Sequence, residues 1–255
     1  MKTHSFIKFL GSVVLSSVLF LACSSDDDVI DNGDSDTTVY DITPILSKFD
    51  NVSGLSYSVS GNTVTITTDD LPNHKSPYWG VGHAMYEAYN GTNPNWNQNP
   101  GSIGAQNITF TIPLNPSSAA NKSATPMGPI GVSINGVVFF NQYAAGGAAL
   151  TGEINSFDQY LGHPAMTQYH YHVEPTYLTS QVGKSGFLGL LADGFPVYGP
   201  EENGTTITSA DLDAYHGHTS ATADFPNGIY HYHITADDPY INGSGFYGTA
   251  GNISR

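Results

Sequence analysis

The chain is 255 residues long, with 11% charged residues, 28 Gly, 15 Pro and 16 Tyr, which excludes a coiled coil and suits strands joined by many turns. Seven Lys plus Arg against 22 Asp plus Glu give a formal charge of −15, which excludes a nucleic-acid partner. A single cysteine excludes an intrachain disulfide.

The N-terminal segment predicts export. Lys2 and Lys8 accompany an apolar stretch of 14 residues, Phe9 to Ala22, too short to span a membrane stably. It ends at Leu19-Phe20-Leu21-Ala22-Cys23, which resembles a bacterial lipobox, with Phe20 and Leu21 as departures from the usual residues. On that reading residues 1–22 are a signal peptide and Cys23 carries acyl chains such as palmitate. Loss of Lys2 and Lys8 then takes the charge from −15 to −17. Residues 23–50 follow as a tether. Its acidic part, from Ser24 to about Tyr40, has too little to bury to offset its ordering entropy. Ser25-Asp26-Asp27-Asp28 resembles the export tag of surface-displayed lipoproteins. The expected place is the outer membrane, at the cell surface, with the membrane as a partner through the lipid anchor.

The remainder, 51–255, is expected to be one mainly β domain. Leu55–Ser60 and Thr63–Thr68 flank Gly61-Asn62, and Gln106–Leu114 reads as a further strand. Tyr78–Gly101 reads as a long loop whose Tyr78, Trp79 and Trp96 suit a ligand such as a sugar. Ile130–Ile134 and Val137–Phe140 flank Asn135-Gly136, and Phe187–Ala192 and Phe195–Tyr198 flank Asp193-Gly194. Short helical turns are expected near Ser156–Leu161 and Ser209–Tyr215.

These blocks repeat. The hairpin 130–140 matches 188–198, Phe157–His163 matches Leu212–His218, and Tyr169-His170-Tyr171-His172 matches Tyr230-His231-Tyr232-His233. The offsets are 58 for Gly131 to Gly189, 55 for His163 to His218 and 61 for His170 to His231. Three block types in one order predict two related halves, about 128–185 and 186–250.

Strand geometry says what the repeats suit. His170 and His172 share one face of a strand, as do His231 and His233, with the tyrosines on the other. Two imidazoles at that spacing chelate one metal ion, with His163 or His218 as further ligand and Asp158 or Asp213 as a ligand or an outer partner. Imidazole plus carboxylate suits Zn(II), Cu(II) or Fe(II) over Cu(I), with Zn(II) or Cu(II) as the expected ion. A buried His-Tyr ladder without metal is the plainer alternative.

The paired Tyr-His-Tyr-His motifs, Pro126–Gly131 with Asn135-Gly136, and the Gly-His steps resemble the YHYH domain family over roughly Val64 to Gly248. Leu71-Pro72-Asn73-His74 is similar to that family's Ile-Pro-Asp/Asn-His segment, and the resemblance implies that His74 belongs with the functional histidines. It implies kinship of fold and no activity. Two other readings stay open: a non-enzymatic glycan-binding or adhesion module with the His-Tyr strands as scaffold, and a metal-dependent hydrolase of extracellular polymer.

Overall fold

The computed structural model describes residues 38–243 and 245–255. The signal segment, Cys23 and the acidic run behind it lie outside the described residues. No helix of the described residues is long and apolar enough to cross a membrane.

The folded body starts earlier than residue 51. Thr43–Phe49 forms a 3₁₀ helix whose Ile45, Leu46 and Phe49 are buried together with Ile42. The end of the expected tether is therefore part of the core. The first hairpin is as read: β1 (Leu55–Ser60) and β2 (Thr63–Thr68) pair antiparallel from Leu55↔Thr68 to Ser60↔Thr63. With β3 (Ile108–Pro113) and the C-terminal β18 (Asn252–Ser254) they form a four-stranded sheet in the order β1-β2-β3-β18.

The repeated blocks build an eight-stranded sheet. Its strands are β5 (Pro129–Ser133), β6 (Val138–Phe140), β9 (Gly162–Ala165), β10 (Gln168–Tyr171), β11 (Phe187–Leu191), β12 (Pro196–Tyr198), β15 (Gly217–Ser220) and β16 (Ile229–His233). The order β15-β16-β12-β11-β5-β6-β10-β9 reads as the same four-strand unit outward from the central β11/β5 pair. That pair is antiparallel, with Leu190↔Val132, Gly189↔Ser133 and Leu191↔Gly131 as partners. The register thus maps onto itself when the matched residues of the two halves are exchanged. Two-stranded ribbons complete the described strands: β4 (Ser118–Ser123) with β17 (Phe246–Gly248), β7 (Tyr143–Ala144) with β8 (Ala148–Ala149), and β13 (Glu201–Glu202) with β14 (Thr205–Thr206).

The two large sheets meet at the matched turns. Gly136 and Gly194 both sit at φ +87°, the left-handed conformation that closes such turns. A Cβ on Gly136 would meet Thr68 Oγ1 at 2.9 Å, and one on Gly194 would meet the Pro113 carbonyl at 2.6 Å. Thr68 donates to the Gly136 carbonyl at 2.7 Å, and Asp70 accepts the Val138 N–H at 2.9 Å.

Helical expectations need correction. The turn expected near Ser156–Leu161 lies earlier: the 3₁₀ turn is Glu153–Ser156, and Asp158 then turns the chain by accepting the Tyr160 and Gly162 N–H groups. The second turn falls within its expected span, at Ser209–Asp211. One α-helix, α1 (Thr176–Val182), was not anticipated, because only Leu178 and Thr179 are buried and no apolar stripe marks it.

Candidate metal centres

The Tyr-His-Tyr-His strands place their side chains as alternation demands. Tyr169, Tyr171, Tyr230 and Tyr232 enter the main hydrophobic core, and His170, His172, His231 and His233 are buried on the other face. Each tyrosine hydroxyl has a partner. Tyr169 donates to Asp158 at 2.8 Å, Tyr230 to Asp213 at 3.0 Å and Tyr232 to Asp193 at 2.6 Å. Tyr171 bonds His74 Nε2 at 3.1 Å and accepts from Asn135 at 3.3 Å. The glycine of each Gly-His step makes room for a tyrosine: a Cβ on Gly162 or Gly217 would lie 2.4 Å from the hydroxyl of Tyr169 or Tyr230.

Cross-strand pairing then brings in the third histidine of each half. His163 is the Cα partner of His170, and His218 of His231. A carboxylate from the preceding loop completes each group: Glu153, His163, His170 and His172 in the first half, Glu202, His218, His231 and His233 in the second. In each group one donor atom per residue lies within 4.8 Å of all the others.

In the first group His170 Nε2 is 2.9 Å from His172 Nε2 and 3.1 Å from His163 Nε2. Glu153 Oε1 is 3.1 Å from His163 Nε2 and 3.9 Å from His172 Nε2. In the second, His231 Nε2 is 3.0 Å from His233 Nε2, and Glu202 reaches His218 at 3.5 Å and His231 at 3.7 Å. His218 Nε2 is a buried nitrogen with no hydrogen-bond partner. Ser220 donates its hydroxyl to Glu202.

The tautomers are set from behind. His170 Nδ1 donates to the Gln168 carbonyl at 3.0 Å and His172 Nδ1 to that of Asn141 at 2.6 Å. At the matched places His231 Nδ1 donates to Ile229 at 2.9 Å and His233 Nδ1 to Gly199 at 2.7 Å. With Nδ1 protonated, each Nε2 presents a lone pair. His163 Nδ1 lies 2.7 Å from Ser156 Oγ and 3.2 Å from the amide of Asn99, which belongs to the long loop. Burial, reinforced by the neighbouring imidazoles, holds His170 well below its usual pKa. Burial likewise takes His172 down to about 4 and His231 to about 3. The hydrogen bond with His163 holds Glu153 below its ordinary value.

A cleft opens beside each group. One of about 680 Å³ is lined by Glu153 and His163, with Asn99, Asn155 and Met166. Another, of about 470 Å³, is lined by Glu202, His231 and His233 with Tyr198 and Thr222.

Several expected site residues stand elsewhere. Asp158 and Asp213 hold no imidazole of either group; they anchor Tyr169 and Tyr230 and tie their own turns. His74 lies outside both groups, among Tyr160, Tyr169, Tyr171 and Tyr177. The four strand histidines divide between two groups, one in each half. In the loop, Tyr78 is buried and donates to the Ser156 carbonyl, so its ring is not available for stacking on a ligand. Trp79 stacks on His83 and Trp96 on Tyr89. Glu153 and Glu202 were not anticipated. The two loops place them at unmatched distances from the repeated blocks, so the repeat carried no signal for them.

A family model described as "YHYH protein" matches residues 109–208 and 201–245, together more than half of the chain and including all eight residues of the two groups. No curated protein and no solved structure matches the chain.

Proposed function

This chain belongs to the YHYH protein family, and from that premise we propose that it is an exported lipoprotein whose domain holds two divalent transition-metal ions, one in each half. Glu153, His163, His170 and His172 hold the first; Glu202, His218, His231 and His233 hold the second. The observation that carries this reading is the facing Nε2 pair of each strand. Lone pairs 2.9 Å apart in the first half and 3.0 Å in the second repel one another. A proton between them would relieve the repulsion, yet burial lowers the proton affinity of both pairs. A metal ion accepts both lone pairs at once.

The spacing also bears on the ion. Two nitrogens about 2.1 Å from a metal lie about 3.0 Å apart at a right angle and about 3.4 Å apart in a tetrahedron. The edges of 2.9, 3.1 and 3.9 Å in the first half and of 3.0, 3.5 and 3.7 Å in the second straddle both values, and imidazole with carboxylate suits Zn(II) and Cu(II) alike. Four protein donors close a tetrahedral ion and leave positions for water or a substrate only on a larger coordination shell, which is what a metal-dependent hydrolase needs. The glycan-module reading has less support, since of its three aromatic residues only Trp79 and Trp96 keep partly exposed rings.

Anchoring at the outer membrane and display at the cell surface are supported by Lys2 and Lys8, the apolar stretch, Cys23 and the acidic run behind it. Labelling cells with a palmitate analogue tests the anchor. The wild-type chain should take up the label and a Cys23→Ser variant should not; equal labelling would refute it. Metal analysis of the purified full chain tests the centres.

A further inference from the structure

Resting on that two-ion reading, we propose that the two centres are unequal: the ion of the first half is a fixed, structural one, and the ion of the second half exchanges through its cleft and is open to a small ligand from there. The cover over the rings differs between matched positions. Phe140 lies flat on His170, with ring centroids 3.8 Å apart and planes 20° apart. Phe157 covers His163 edge-on at 4.7 Å and runs parallel to His172 at 5.9 Å. In the second half the residue at the Phe140 position is Tyr198, which meets His231 only edge-on at 5.1 Å, and the residue at the Phe157 position is Leu212.

For the cross-strand histidine, exposure follows the cover. The side chain of His163 is 2% exposed, that of His218 26%. His163 Nδ1 is further held by Ser156 Oγ at 2.7 Å. The cleft beside the first centre is the larger, but of the four ligands it touches only Glu153 and His163. The cleft of the second reaches Glu202 and both strand histidines. Tyr198 donates its hydroxyl to Asp224 at 3.0 Å and lies 2.9 Å from the Thr222 hydroxyl. With the tyrosine proton so placed, the Thr222 hydroxyl donates to Tyr198, so this wall of the cleft is held in place by paired groups.

The test loads the full chain, in detergent, with Cu(II) and follows its loss to a chelator and its response to azide by absorbance and electron paramagnetic resonance. The wild-type chain should release its copper in two equal phases, the faster by about tenfold or more. Azide should change one signal only. Glu202→Gln and His218→Ala, both at partly exposed positions, should speed or abolish the fast phase and weaken the azide response while leaving the slow phase intact. Phe140→Ala should speed the slow phase. Two ions leaving at one rate, or an azide response lost in Glu153→Gln and kept in Glu202→Gln, would overturn the inequality and leave the two-ion reading standing. A folded chain that takes up no copper would overturn both.

Discussion

His170 and His172 hold their Nε2 atoms 2.9 Å apart while each donates its Nδ1 proton to a main-chain carbonyl, of Gln168 and of Asn141. A hydrogen-bonded ladder would place a proton between them; here both are acceptors. The same arrangement recurs in His231 and His233, with Ile229 and Gly199 supplying the carbonyls. Its recurrence at matched positions makes the facing pair a property of the strand and its two neighbours.

The carboxylates are expected to matter to metal affinity more than to folding. Glu153 opens the 3₁₀ turn Glu153–Ser156, with a side chain 24% exposed. Glu153→Gln should weaken the first ion by about tenfold or more and leave the melting temperature of the metal-stripped protein nearly unchanged. Calorimetric titration of the variant checks it; unchanged affinity would remove Glu153 from the ligand set.

The buried aspartates should behave the opposite way. Asp193 accepts from Tyr232, Gly248 and Phe195 in a fully buried position. Asp193→Ala should cost about 1–3 kcal/mol or more by leaving those donors unpaired. Asp158→Asn should likewise lower stability by weakening the bonds from Tyr169 and Ser76. Metal content should persist in both variants wherever they are folded. Denaturant melts paired with metal analysis separate the two effects, and metal loss from a folded Asp158→Asn protein would return Asp158 to the site.

The histidine contribution to the stability of the metal-stripped protein should fall with acid. His172 protonates at about 4 and His231 at about 3 in the fold, against 6.5 for the free side chain. Between those values each such histidine is protonated in the unfolded chain and neutral in the folded one, so its contribution to stability is flat above about 6.5 and declines as pH falls, by about 1.4 kcal/mol per unit. Melting temperatures from pH 8 down to 4 check the sign. Bound metal should be lost over the same range because protons compete for the lone pairs. Burial raises the carboxyls of Asp70, Asp158 and Asp193, which contribute with the opposite sign, so the histidine contribution is read as the difference from a folded His172→Ala variant. An unchanged pH slope in that variant would contradict the burial of a neutral His172.

Much of this was legible because strand alternation and repetition are written in local sequence. The His-x-His pairs, their shared face, the tyrosine core and the Gly-His partners all follow from period two and matched blocks. What could not be read depends on loops and on distance. Glu153 and Glu202 reach their sites from loops of different length, Asp158 turns toward a tyrosine hydroxyl rather than an imidazole, and Tyr78 points inward to Ser156. His74 shares its residue type with the ligands, yet packing places it on the tyrosine face. The division of four strand histidines between two centres follows from the strand order, in which β10 and β16 lie on opposite sides of the central pair.

Elemental analysis of the full chain after metal loading and removal of loose ions tests the central claim most directly. Two ions per chain are expected, one in a folded His170→Ala/His172→Ala variant, one in a folded His231→Ala/His233→Ala variant, and none when all four are changed. A folded wild-type chain that keeps no metal, or a folded fourfold variant that keeps as much as the wild type, would contradict it.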